Sequence, residues 1–194
     1  MEFIPLAVSG ATLVSFSRYG DSRGFFQEAF KLSEIVADRG SGFVVRQVNQ
    51  SRSAAGVVRG IHWADAPPGQ EKYLTVQSGA IIDIVVDLRA GSPTFGKYDY
   101  VELRADQPGA ILIGNGIGHA FLSLEDGTTV TYLCSEEYNP PHEHGINPLD
   151  PEVALPLEDL RLKFGLPELS FSEKDLQAPS LSEQLVAGRV PVVL

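Results

Sequence analysis

A single cysteine, Cys134, in 194 residues excludes an intrachain disulfide framework and a cysteine cage for zinc. Basic residues are scarce too: 15 Lys and Arg stand against 25 Asp and Glu, a net charge of −10. A broad nucleic-acid surface needs a basic face, so that partner class is not expected. A small anion remains admissible, because a few converging arginines reverse the potential inside a cleft of an acidic molecule. No Lys or Arg precedes Arg18, so the basic start of a secretory signal is missing. No apolar run approaches the ~20 residues of a membrane helix. No Gly-rich fingerprint at a strand–helix turn calls for a nicotinamide or flavin dinucleotide. The expectation is a soluble cytoplasmic protein.

What is present is strand. The length suits one domain over residues 1–194, and 43% apolar with 21% charged residues is an ordinary globular balance. Short runs such as "GFVVRQVNQS", "GVVRGIHW", "KYLTVQS", "AIIDIVVDLR", "YDYVELR", "AILIGNG", "AFLSLE" and "TTVTYLCS" follow at near-regular spacing. Turn signals at Ser78-Gly79, Gly91-Ser92-Pro93, Gln107-Pro108-Gly109 and Glu125-Asp126-Gly127 separate them. This pattern predicts an all-β sandwich or barrel. Short helices are expected only at the periphery: "SEIVADRG", capped by Ser33 and closed by Gly40, and "SLSEQLVAG", capped by Ser182 and closed by Gly188. The proline-rich stretch from Asn139 to Ser170 shows no clear period and reads as a covering loop. In "IIDIVVDLR", Ile82, Ile84, Val86 and Leu88 share one face and Asp83, Val85 and Asp87 the other. Gln47 and Asn49 likewise share a face. Recurrent polar groups on one face suit either a lumen lined for a polar ligand or a solvated outer surface.

The chemistry centres on "GVVRGIHWADAPPGQEKY", in which His62 stands between apolar Ile61 and Trp63, with Arg59 before it and Lys72 after it. Imidazole titrates near neutral pH, so His62 is a candidate general base if a carboxylate orients it. Asp83 is one candidate partner. Arg59 belongs to a set with Arg23 and Arg46, whose guanidinium forks suit a phosphate or pyrophosphate. Lys72 could stabilise negative charge growing on a carbonyl oxygen. The rival use of these histidines is a metal site, for which His142 and His144 have the two-residue spacing but sit in the proline-rich stretch.

An ordered set of motifs carries a resemblance. "DSRGFFQE", "RQVNQS", "GVVRGIHW", "PPGQEKYLTVQSG", "DIVVDLRAGSPTFGKY", "GIGHAFLSLEDGTTVTYLCSEEYNP" and "HEHGINPLDP" together resemble the dTDP-4-dehydrorhamnose 3,5-epimerase family over roughly residues 15 to 180. The resemblance implies a cupin-type jelly-roll β-barrel that needs no metal or other cofactor, and a homodimer that exchanges N-terminal strands. It implies His62 as the base, Asp175 as its orienting carboxylate, Tyr132 as the acid on the opposite face and Lys72 beside the ketone. It implies substrate contacts from Arg23, Phe26, Glu28, Gln47, Asn49, Arg59, His119, Glu143 and Lys174, with Tyr138 stacked on thymine. The implied substrate is a dTDP-linked 4-keto-6-deoxyhexose, epimerised at C3, C5 or both. One departure stands after His119, where Ala120 replaces the glycine common in 3,5-epimerases. A metal-dependent cupin enzyme and a non-catalytic sugar-nucleotide binding protein remain the alternatives.

Overall fold

The computed structural model describes residues 1–192. Its strands are β1 (Glu2–Pro5), β2 (Ala11–Ser15), β3 (Arg18–Asp21), β4 (Gly24–Gln27), β5 (Gln47–Ser53), β6 (Val58–Ala64), β7 (Lys72–Ser78), β8 (Ala80–Asp87), β9 (Tyr98–Arg104), β10 (Gly109–Ile113), β11 (Ile117–Ser123), β12 (Thr128–Cys134) and β13 (Glu143–Gly145). Among the described residues four short α-helices accompany them, α1 (Leu32–Arg39), α2 (Leu157–Lys163), α3 (Glu173–Leu176) and α4 (Leu181–Val186), with one 3-10 turn at Pro140–His142. The expected all-β character with peripheral helices is therefore observed. The strands form a six-stranded sheet ordered β1-β2-β10-β7-β12-β5 and a five-stranded sheet ordered β13-β6-β11-β8-β9. A separate ribbon pairs β3 with β4. No pairing among the described residues closes the two large sheets into one hydrogen-bonded cylinder.

Three apolar layers hold the sheets. The inner layer joins Leu74, Ile111 and Val130 of the six-stranded sheet to Ile81, Val85 and Phe121 of the five-stranded one. The outer face of the five-stranded sheet buries Ile61, Trp63, Ile82, Ile84 and Leu122 under Leu157, Leu160 and Leu181 from α2 and α4. The outer face of the six-stranded sheet buries Tyr73, Ala110 and Leu112 under Ile35 of α1 and Phe43. Strand β8 is thus covered on both faces and fully buried along its length, as a central strand must be to carry so many β-branched residues. Asp87 serves structure: its oxygens accept from Arg89, Ser92 and Thr94 and brace the "GSPT" turn.

Three local expectations are corrected. The α1 N-cap is Lys31, not Ser33, and it makes no side-chain cap bond; Gly40 does close the helix, at φ 71°. Ser180, not Ser182, caps α4 through a capping box with Glu183. The helix therefore starts two residues earlier, because Glu183 at the third helical position returns the bond to the Ser180 backbone. The proline-rich stretch is not all loop. Leu157 and Leu160 give α2 one buried stripe, Glu158 and Asp159 sit in its first turn, and Arg161 and Lys163 in its last, which complements the helix dipole.

Candidate active site

The alternation of β6 answers why an imidazole lies between Ile61 and Trp63. Those two pack outward, so His62 points inward. Arg59 lines the same cleft as His62, although residues three apart on an unbroken strand face opposite sides. The register explains this: His119 pairs with His62 but Phe121 pairs with Arg59, so between these pairs one residue of β11, Ala120, opposes two of β6, Gly60 and Ile61. The extra residue is a β-bulge centred on Gly60, which has φ 106°. A Cβ there would lie 2.4 Å from the His119 carbonyl oxygen. The bulge brings both Arg59 and His62 to one face.

They line a cleft of about 530 Å³ between the sheets. From the six-stranded sheet come Asn49 and Ser51 on β5, Lys72 on β7, and Tyr132 and Cys134 on β12. From the five-stranded sheet come Arg59, His62, His119, Phe121 and Glu143; the rim carries Tyr138, Lys174 and Asp175. The base candidate and the phenol therefore stand on different sheets.

His62 Nε2 lies 2.7 Å from Asp175 Oδ1. Asp175 is held by the single turn of α3, where the Ser172 hydroxyl accepts from the Asp175 N–H at 3.0 Å. Burial would raise the Asp175 carboxyl, but the hydrogen bonds from His62 and Ser172, the His62 charge and the Gly60 N–H hold it below its ordinary value. Asp83 is not the His62 partner. It faces the inner layer and meets His119 Nε2 at 2.9 Å, and burial raises its carboxyl against the pull of His119.

Burial pushes the Lys72 ammonium down, opposed by Cys134 and Glu143; among the described residues no carboxylate lies within ion-pair distance of it. Burial likewise raises the Tyr132 phenol well above its usual range, and its hydroxyl lies 3.1 Å from Ser51 Oγ. The His119 ring stands edge-on to Tyr132, with centroids 6.2 Å apart. Gln47 lies behind the lining: its Oε1 accepts from the Tyr138 N–H at 2.8 Å and its Nε2 donates to Asn49 at 2.7 Å.

Arg23, Phe26 and Glu28 are not in this cleft. Arg23 folds onto Asp21 at 2.5 Å on the exposed ribbon, Phe26 is 66% exposed, and Glu28 lies 3.8 Å from Lys31. The metal-spaced histidines have another use. His142 Nδ1 and His144 Nε2 bond the two oxygens of Asp65, at 3.0 and 2.6 Å, and clip β13 to β6. Among the described residues no three His, Cys, Asp or Glu side chains are arranged to hold a metal ion. Sequence reasoning passed over Ser51, Cys134 and Gln70 of the lining. Ser51 was accessible to the same period-two alternation that paired Gln47 with Asn49.

An imidazole–carboxylate pair on one wall of the cleft, with a phenol and a lysine on the facing wall, are groups able to exchange protons with a polar ligand. Residues 5–183 match the dTDP-4-dehydrorhamnose 3,5-epimerase family profile. The chain is 45% identical over 186 residues to the dTDP-4-dehydrorhamnose 3,5-epimerase of Mycolicibacterium smegmatis, covering 96% of this chain and 89% of that one. The rmlC epimerase of Mycobacterium tuberculosis superposes with TM-score 0.92 at 43% identity, covering 99% and 94% of the two chains. A 3'-monoepimerase from Streptomyces bikiniensis in complex with dTDP-quinovose superposes with TM-score 0.90 at 39% identity, covering 97% and 92%. The chain belongs to the dTDP-4-dehydrorhamnose 3,5-epimerase family, a family of isomerases.

Proposed function

We propose that this chain epimerises a dTDP-linked 4-keto-6-deoxyhexose at C3, C5 or both. The observation that carries the reading is the His62–Asp175 pair on one wall of a cleft whose facing wall presents Tyr132. With Nε2 committed to Asp175, Nδ1 of His62 takes the proton alpha to the ketone, and Asp175 stabilises the imidazolium. The electron pair moves onto the C4 oxygen, where the Lys72 cation lowers the energy of the enolate. Tyr132 then delivers a proton to the other face, inverting the carbon. No net oxidation occurs.

Arg59, Lys174 and Asn49 would hold the diphosphate and sugar, with Glu143 and His119 against the hexose and the Tyr138 ring under thymine. Binding energy from the nucleotide then positions the reacting carbon. Arg23, Phe26 and Glu28 would reach a cleft only if the β3–β4 ribbon of a second copy supplied them, in a homodimer that exchanges N-terminal strands. The exposed Tyr19, Phe25 and Phe26 of the ribbon support that reading, since contiguous exposed aromatics mark contact surfaces. Residues 1–194 would form one cytoplasmic domain with the two sheets curved as a cupin-type jelly roll.

The test is proton NMR of dTDP-4-keto-6-deoxyglucose with the protein in D2O. Deuterium entering C3 and C5 with inversion at both marks a double epimerase, and inversion at one carbon a monoepimerase. Absence of exchange at both carbons overturns the reading for this substrate.

A further inference from the structure

The Tyr132 phenol has one hydrogen-bond partner among the described residues, the hydroxyl of Ser51 at 3.1 Å. Strands β5 and β12 run antiparallel with Val130 opposite Ser51 and Tyr132 opposite Asn49, so Ser51 and Tyr132 are diagonal neighbours on one face. Both side chains line the cleft. Around the phenol, Asp83 and Cys134 disfavour a phenolate while Arg59 and the Ser51 hydrogen bond favour it, and burial outweighs both. Phe121 and the edge of His119 occupy the apolar side of the ring.

Resting on the epimerase reading above, we propose that Ser51 is a positioning residue for Tyr132 that decides whether an enolate is inverted or returned unchanged. A serine hydroxyl that donates to the phenolic oxygen leaves the phenol's own hydrogen free to point into the cleft. When the enolate takes that hydrogen, the Tyr132 O–H bond breaks, a C–H bond forms from the enolate π pair, and the negative charge passes to the phenolic oxygen. The phenolate then still accepts from Ser51, and water in the cleft restores its proton. Without the Ser51 hydroxyl, the phenol loses its aim and its product anion loses the one side-chain donor it has among the described residues. The enolate is then reprotonated by the His62 imidazolium on the face it came from, after exchange with solvent.

The measurement is the ratio of deuterium exchange to inversion at C3 and at C5 in D2O, for the parent, Ser51→Ala and Ser51→Thr. Exchange persists in Ser51→Ala while inversion falls on the order of tenfold to a hundredfold, part of what an acid group contributes; Ser51→Thr, which keeps the hydroxyl, restores inversion. A purely structural role would lower exchange and inversion together. A second readout needs no turnover: 3-fluorotyrosine is incorporated and the Tyr132 fluorine signal, assigned with Tyr132→Phe, is titrated. In Ser51→Ala its midpoint moves upward. An unchanged ratio or an unmoved midpoint overturns the proposal. A parent with neither exchange nor inversion would sink the epimerase reading instead, and the titration would still decide whether Ser51 holds Tyr132.

Discussion

His62 and His119 are register partners across β6 and β11, yet each is held by a different carboxylate. Asp175, carried in from a helix 113 positions along the chain, takes His62, and Asp83 on the adjacent strand takes His119. The two imidazoles differ in exposure as well: the His62 side chain is 43% exposed and the His119 side chain 6%. The pair open to the cleft suits proton transfer. The buried pair fixes a ring against Tyr132.

On the proposed mechanism Asp175→Asn removes the carboxylate that would stabilise an imidazolium at His62, and kcat/KM is expected to fall on the order of 100-fold. Stability has a defined pH window. The Asp175 carboxyl is held below its ordinary value of 3.8 when folded. Its contribution is therefore full above that ordinary value and is lost as pH falls through the lower folded value. The Tm difference between parent and Asp175→Asn should shrink as the pH falls below about 4. A gap that keeps its full size down to the most acidic pH at which the parent still folds would contradict the assignment.

Gly60→Ala should be among the most damaging single changes. The new Cβ meets the His119 carbonyl oxygen at 2.4 Å, Ala120 Cα at 2.7 Å and Ala120 Cβ at 2.8 Å. Two of these contacts are backbone, which cannot swing away, and φ 106° is itself costly for an L-residue. The expected loss is about 3 kcal/mol by denaturant titration. Activity should fall further than stability in any folded fraction, because flattening the bulge turns Arg59 or His62 out of the cleft. Gly42→Ala, where nothing lies within 4 Å, is the control and should be near neutral.

Arg23→Ala and His62→Ala should complement each other. If a second copy's ribbon completes the cleft, each variant alone has only defective sites. A co-refolded equal mixture forms heterodimers in which one of two sites joins a native ribbon to a native His62. Recovery of about one quarter of parent activity follows from random pairing. No recovery in the mixture, with both variants dimeric by light scattering, would place Arg23 in its own chain's function or outside the site.

Local chemistry was legible in the sequence because it is written at short range. Alternation in β8, the turn signals, Gly40 and the Gly188 stop all depend on residues within a few positions. The ordered motifs also named the family. Where short-range rules competed, they misled by two residues: Ser182 and Ser180 both suit a cap, and only the Glu183 return bond chooses Ser180. Prolines around α2 hid a real stripe at Leu157 and Leu160.

Tertiary structure decided what no period encodes. Sequence left His62 with Asp83 or Asp175, because a carboxylate's partner depends on which elements meet, not on spacing. The Gly60 bulge shifts the parity of β6, so simple alternation would have put Arg59 and His62 on opposite faces. The placing of Arg23, Phe26 and Glu28 outside their own chain's cleft likewise follows from where the ribbon departs from the sheets. Sequence by itself determined β5 to β12, the chemical types at the site and the family; packing of the two sheets determined which of those groups face one another, because contact between distant segments is set by shared burial rather than by local order.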